Sequence, residues 1–230
     1  MNVCIFLTTR IGSSRLPRKA LLSINGETVT DILISRLKKT KIPIIMCTTT
    51  EREDRQCLEP IADYHNIGYH EAPAGNIIAQ HLQAARDNGV DFIINIDGDD
   101  ILVCPEIVQS VYHHITQTKE PVPIKTVGLP LGLNVIAYPV ECLKGINFDS
   151  DTNWGAQIFK GKHKEIRFNY DEPYYLTMDY AEDFALIDDI LTNCKRNLYV
   201  GGVCSYLKKH PDVAKINYNR NEERFARWNI

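Results

Sequence analysis

An α/β domain built on a mostly parallel sheet is what this sequence predicts, and three observations lead there. Val3 to Leu7 (VCIFL), Ile42 to Thr48 (IPIIMCT) and Phe92 to Ile96 (FIINI) are short, largely apolar runs. Strands buried on both faces read this way, whereas half-exposed strands alternate. Segments of helical period lie between the runs, Thr28 to Lys39 (TVTDILISRLKK) being the first. Each run also ends in a polar loop, and open α/β sheets bind their ligands at the carboxyl ends of strands.

The chain of 230 residues fits one domain, residues 1–230, or one domain with an added arm, expected about 120–165. A chain this long buries roughly 70% of its unfolded surface and needs no staples. A net charge of −3 leaves no electrostatic footprint for nucleic acid or an anionic membrane, so neither is expected as a partner. The seven cysteines are scattered without C-x-x-C spacing, which reads as reduced, structural thiols in a cytoplasmic protein. The first apolar run ends at Leu7, too short for a signal peptide, and no stretch approaches the about 18 apolar residues of a membrane span.

The loop after the first run is Thr8-Thr9-Arg10-Ile11-Gly12-Ser13-Ser14-Arg15-Leu16-Pro17-Arg18-Lys19. Guanidinium forks, an ammonium, hydroxyls and backbone N–H groups together suit a polyanion such as a triphosphate. Neither a Walker A nor a G-x-G-x-x-G spacing is present. A solvated basic surface loop is the plainer reading of the same charges.

As a whole the pattern R-x-G-S-x-R-L-P-x-K-x-L resembles the signature of the sugar-activating cytidylyltransferases. These include the Kdo and acylneuraminate cytidylyltransferases and the SpsF-like proteins of spore-coat polysaccharide type. The resemblance implies a Rossmann-like, three-layer α/β/α fold of the nucleotide-diphospho-sugar transferase type. Arg18 stands where the family loop usually has glycine. The resemblance implies nucleotide contacts from Thr8, Thr9, Arg10, Gly12, Ser13 and Lys19, with Arg10, Arg15 and Lys19 on the phosphates.

Taken in order, Thr28 to Lys39 is expected as a helix capped by Thr30 or Asp31, its terminal lysines facing the negative end of the dipole. Ile42 to Thr48 is a second strand. Thr48-Thr49-Thr50 and the acidic helix start after it resemble the family turn A-T-x-x-x-x-D, which adds Thr48 to the nucleotide contacts. A short strand near Gly68 to His70 precedes Ala72, Gly75 and Asn76, a loop that lies near the cytosine base in the relatives. There Asn76, and Gln80 or His81, replace the usual Asp and Arg.

Phe92 to Ile96 closes on Asp97-Gly98-Asp99-Asp100, then Pro105 opens a helix. Carboxylates crowded at the end of a buried strand are costly unless neutralised, and Mg²⁺ does this with phosphate oxygens and water. An acidic cap on the next helix is the plainer account. The family segment G-D-x-P-L-x-x-P-E matches Gly98 to Glu106 with Ile101 for proline, which implies Asp99 as a metal ligand and Asp97 and Gly98 beside the nucleotide.

Val122 to Ala137 is expected as two strands around a loop at Gly128 to Leu133. Pro130 to Val135 resembles the acceptor-sugar segment of the SpsF type, which points to Gly132 and Asn134. Trp154 could stack on a sugar or fill the core. Leu176 to Phe184 resembles L-T-x-D-x-P-E-D-L/F, whose first Asp, here Asp179, is the second metal ligand; Glu182 and Asp183 cap a helix.

The implied reaction is attack of a sugar-acid hydroxyl on the α-phosphorus of CTP with loss of pyrophosphate, Mg²⁺ as cofactor, in a homodimer. A D-x-D glycosyltransferase using Asp97 and Asp99, and a nucleotide-binding protein without catalysis, are the competing readings.

Overall fold

In the computed structural model, residues 1–118, 120–144, 146, 154–194 and 198–218 are described. Val3–Thr8 forms β1, and its side chains alternate between two cores. Val3, Ile5 and Leu7 point into one, Cys4 and Phe6 into the other. A strand that fills both faces must lie between two helical layers, and each large side chain so buried contributes roughly 1.5–3 kcal/mol.

A small hairpin follows, β2 (Ser23–Ile24) with β3 (Glu27–Thr28), leading into α1 (Val29–Leu37). The helix is capped by Thr28, whose hydroxyl accepts from Asp31 N–H while Asp31 accepts from Thr28 N–H. The expected caps Thr30 and Asp31 are thereby corrected. Asp31 is instead the third helical residue of a capping box.

Then come β4 (Ile44–Thr49), α2 (Arg52–His65), β5 (Gly68–Ala72), α3 (Ile77–Asn88), β6 (Phe92–Asp97) and α4 (Pro105–Thr118). Next are β7 (Ile124–Val127), β8 (Ile136–Pro139), the short α5 (Trp154–Ile158) and β9 (Lys164–Arg167). The chain continues through α6 (Ala181–Asn193), α7 (Val200–Lys209) and α8 (Pro211–Ala214).

The main sheet runs β5-β4-β1-β6-β8-β7-β9, and only β8 lies antiparallel to its neighbours. Much of the stretch expected as an arm, residues 120–165, therefore extends this sheet through β7, β8 and β9. A 3-10 turn, Val140–Leu143, follows β8. Near the end of the described chain Asn217 is buried against the core; residues 219–230 lie outside the described ones.

One buried cation ties α1 to the loop behind β6. Arg36 is 4% exposed and its guanidinium donates to the carbonyls of Leu102, Val103 and Leu198. Burial lowers its pKa from the ordinary arginine value, and the carbonyl oxygens take the place of water. Arg36→Met keeps volume but orphans those acceptors. We expect it to lower the unfolding free energy by about 2–4 kcal/mol, seen as a lower urea midpoint; an unchanged midpoint contradicts the anchoring role.

Candidate active site

The carboxyl ends of β1 and β6 face each other, and backbone contacts fix their spacing. Gly98 N–H donates to Thr8 O at 2.8 Å, and Thr9 N–H to Cys47 O at 3.1 Å. A Cβ on Gly98 would lie 2.6 Å from the Thr9 side chain, so glycine is required by close approach. Thr9 itself is buried.

Asp54, near the start of α2, clamps the cationic loop. Its Oδ1 accepts Ile11 N–H at 2.6 Å, and its Oδ2 accepts the Thr49 hydroxyl. Asp54 is the last residue of the T-x-x-x-x-D turn, so the pattern was legible although its role as a loop clamp was not foreseen. Thr48, expected on the nucleotide, is buried, and its hydroxyl has no hydrogen-bond partner among the described residues. Further along the loop, Ser13 Oγ accepts Leu16 N–H at 3.4 Å.

Arg18 adopts φ 54° and ψ 31°, the left-handed region that costs an L-residue roughly 1–2 kcal/mol and glycine little. That explains why a glycine belongs there in the resembled pattern. The Arg18 side chain turns to α2, 3.6 Å from Glu53. Gly12, by contrast, has open space where a Cβ would be. Among the described residues Arg10 makes no ion pair, and it is exposed.

Lys19 is the point where the motifs converge. Its Nζ lies 2.7 Å from Asp99 Oδ2 and 3.5 Å from Asp179 Oδ1, and donates to Met178 O at 3.0 Å. Arg15 reaches the same Asp179 Oδ1 at 2.7 Å and lies over the Tyr180 ring. Tyr175 donates its hydroxyl to Asp179 Oδ2 at 2.8 Å, a contact that no motif indicated. Asp183 Oδ2 accepts the N–H groups of Asp179 and Tyr180 and caps α6, as expected from its place in the sequence.

Asp97, Asp99 and Asp100 each offer a carboxylate oxygen within 4.8 Å of the others. Hard oxygens so grouped fit Mg²⁺ or Mn²⁺. Asp179 stands apart from this group, across the Lys19 ammonium. Asp97 opens onto solvent yet is ringed by protein; that surrounding and then the charge of Asp99 push its carboxyl up to about 6, against a hydrogen bond from Asn95. Asp100 is also raised, by burial and then by Asp99 and Asp97, although Thr177 donates to it at 2.7 Å.

On the far side of β1, Ala72 ends β5 and Gly75 turns with φ 98°. Asn76 caps α3 by accepting Ala79 N–H at 2.9 Å, a role open equally to aspartate. Gln80 is buried and donates to Pro73 O at 2.7 Å, bracing the 72–76 loop. His81 is fully buried beneath it.

In the region expected to meet the acceptor, Gly132 is buried at φ 92°, and a Cβ there would lie 2.4 Å from the Leu176 backbone. Its visible duty is to let two backbones pass. Asn134 donates to Pro130 O at 3.2 Å within its own loop. Trp154 begins α5, and its side chain is outside the described part.

Because Gly98 lets β6 close on Thr9, Gly98→Ala must displace the Thr9 side chain or the strand end. We expect a folded protein with triphosphate binding weakened at least about tenfold, an energy near 1.4 kcal/mol, by isothermal titration. Unaltered binding means the close approach does not matter to the site.

A family model described as cytidylyltransferase matches residues 4–181. An uncharacterised protein of Methanocaldococcus jannaschii is 22% identical over 98% of this chain and 98% of its own. A 3-deoxy-manno-octulosonate cytidylyltransferase of Hydrogenovibrio crunogenus is 32% identical over 48% of this chain and 46% of its own, so the chain spans about half of that relative. Among solved structures, a cytidylyltransferase from Leptospira borgpetersenii superposes with a TM-score of 0.85 at 21% identity, covering 93% of this chain and 97% of that one. A CMP:2-keto-3-deoxy-manno-octonic acid synthetase complexed with CTP superposes at 0.64 with 12% identity, covering 84% and 99%. With a cytidylyltransferase model spanning most of the chain and the same α/β fold around the converged site, this chain belongs to the cytidylyltransferase family.

Proposed function

We propose that the chain moves CMP from CTP onto a sugar acid, of nonulosonate or Kdo-like type, with Mg²⁺ as cofactor and pyrophosphate as the second product. Such a product serves as a precursor for surface glycans. One observation carries the reading. Lys19 and Arg15, from the loop after β1, meet Asp99 and Asp179, from two other segments, at one point of the cleft. A D-x-D glycosyltransferase has no use for that cationic loop, and membership of the cytidylyltransferase family sets that reading aside.

In this reading the acceptor hydroxyl oxygen bonds to the α-phosphorus as the bond to the β-phosphate oxygen breaks. Pyrophosphate leaves with that electron pair, and the hydroxyl proton is lost to water. Little covalent work falls to the protein; it must position the groups and neutralise charge. Arg10, Arg15 and Lys19 hold the β- and γ-phosphates and the charge that gathers on pyrophosphate. Gly12 leaves room for the phosphates, since neither packing nor backbone angle demands glycine there.

Asp97, Asp99 and Asp100 would hold Mg²⁺, with Asp179 near it on the far side of Lys19. The ion supplies charge neutralisation at the α-phosphate. Before ligand arrives, the cations and carboxylates neutralise one another, which keeps both sets in place. Thr8, Thr9, Ser13, Thr48, Ala72, Gly75 and Asn76 remain the proposed nucleotide contacts, with Gly132, Asn134 and Trp154 toward the acceptor. The reading includes a homodimer packed through residues 120–165.

Thermal stability in CTP, UTP, ATP and GTP, with and without Mg²⁺, tests the nucleotide. CTP at 100 times its dissociation constant should add roughly 2.7 kcal/mol, only with Mg²⁺, and Asp99→Asn should lose this. Pyrophosphate release on adding a panel of sugar acids then names the acceptor; stabilisation by another triphosphate and not by CTP overturns cytosine. The metal-dependent part should also fall as pH drops through about 6, because protonating Asp97 removes its negative charge. A flat profile from pH 8 to 5 would remove Asp97 from the ion's ligands.

A further inference from the structure

A chain of buried polar side chains runs from β8 to the mouth of the cleft, and nothing in the reaction above uses most of it. Tyr138 OH lies 2.7 Å from His81 Nδ1, and His81 Nε2 lies 3.0 Å from Thr8 Oγ1. Thr8 donates to Asn95 Oδ1 at 3.2 Å, and Asn95 Nδ2 donates to Asp97 Oδ1 at 3.1 Å. Tyr138 and His81 are 0% exposed and Asn95 is 3% exposed.

Donor counting sets one direction along the whole chain. Asp97 as a carboxylate can only accept, so Asn95 presents its amide N–H₂ to it and its carbonyl to Thr8. Thr8 spends its single proton on that carbonyl, so His81 Nε2–H must donate to Thr8. Burial pushes the His81 imidazole down to about 3, so it is neutral and its Nδ1 is bare. Tyr138 O–H then donates to Nδ1, and burial raises the pKa of that phenol, keeping it protonated.

We propose that Tyr138, His81, Thr8 and Asn95 form a positioning relay that orients the Asp97 carboxylate. Resting on the reading of this cleft as the cation and nucleotide site, the relay occupies Asp97 Oδ1. Among the described residues the Asp97 carboxylate accepts no other hydrogen bond, so Oδ2 is the oxygen available to a ligand. Asn95 and Asp97 lie two apart on β6, on the same face as Thr8 of β1 and against α3. The relay thus passes the position of a helix and of β8 to one carboxylate oxygen. Polar side chains behind a ligating carboxylate commonly set its orientation, and their loss costs about 10–100-fold in metal affinity or activity.

Two measurements on the full chain test this. In ¹⁵N-histidine-labelled protein without ligand, one histidine, identified by its loss in His81→Gln, should show a protonated Nε2 and a bare Nδ1 from pH 8 to 7, where Asp97 is a carboxylate. The opposite tautomer, or protonation of His81 within that range, overturns the relay. Mn²⁺ binding in the presence of CTP, read from the free-ion electron paramagnetic resonance signal, should weaken about 10–100-fold in Thr8→Val and Asn95→Leu. Thr8→Ser should restore it, and Tyr138→Phe, remote from the cleft, should weaken it in the same direction with CTP affinity at saturating Mn²⁺ unchanged. Wild-type Mn²⁺ affinity in both Thr8→Val and Tyr138→Phe overturns the proposal. Absence of Mn²⁺ binding by the wild-type protein with any nucleotide would instead overturn the function proposed above, while the tautomer still decides the relay.

Discussion

Three aspartates within four residues, at the end of a buried strand, set the central constraint on this molecule. Enclosure by protein, and then like charges so close, raise the proton affinity of Asp97 and Asp100. The chain answers with Lys19, whose ammonium takes Asp99 on one side and Asp179 on the other. To bring that ammonium there, the loop after β1 must fold back over the sheet end. The segment before α6 must dock beside it, which Met178 achieves by donating its N–H to Asp99 O at 2.9 Å and accepting from Lys19 through its carbonyl. In ion pairs this shielded from water, desolvation offsets much of the attraction, so their value here is geometric: they keep cations and carboxylates facing one another.

That geometry rests on neutral or singly charged anchors in and around the cleft. Asp54 holds the loop backbone at Ile11, Arg36 holds the carbonyls behind β6, and Gly98 lets the two strand ends touch. Each anchor comes from a different element, so the site is a property of the assembled sheet and helices. Asn217 extends this to the end of the described chain. Its amide donates to Asp183 Oδ1 at 2.7 Å, and Asp183 in turn receives the N–H of Asp179.

Positions where the chain departs from the resembled pattern are accommodated locally. Arg18 takes the left-handed backbone that glycine favours and sends its side chain to Glu53. Asn76 caps α3 as an aspartate would, while Gln80 turns to the backbone of Pro73. His81 is buried as a neutral link between Tyr138 and Thr8. Each departure is thus met by a hydrogen bond, ion pair or backbone angle of its own.

Periodicity and local motif content were enough for the fold class, the two-core strands and the residues of the cationic loop. These are decided over a few neighbours: unbroken apolar runs demand burial on both faces, and clustered charge demands a counter-charge. The threonine turn with an acidic helix start was visible as a pattern, though not the contact of Thr49 with Asp54 within it, and Asp183 was visible as a helix cap. Which cation meets which carboxylate was not legible, because Lys19, Asp99 and Asp179 lie 80 and 160 residues apart and meet only when the sheet closes. Nor could the Tyr175 contact with Asp179, the close approach at Gly132 or the hydrogen bonds from Tyr138 to Asp97 be read ahead, since each is set by the path of the folded backbone. Through-space distances of a few ångströms decide hydrogen bonding and charge compensation, and only the tertiary fold sets those distances.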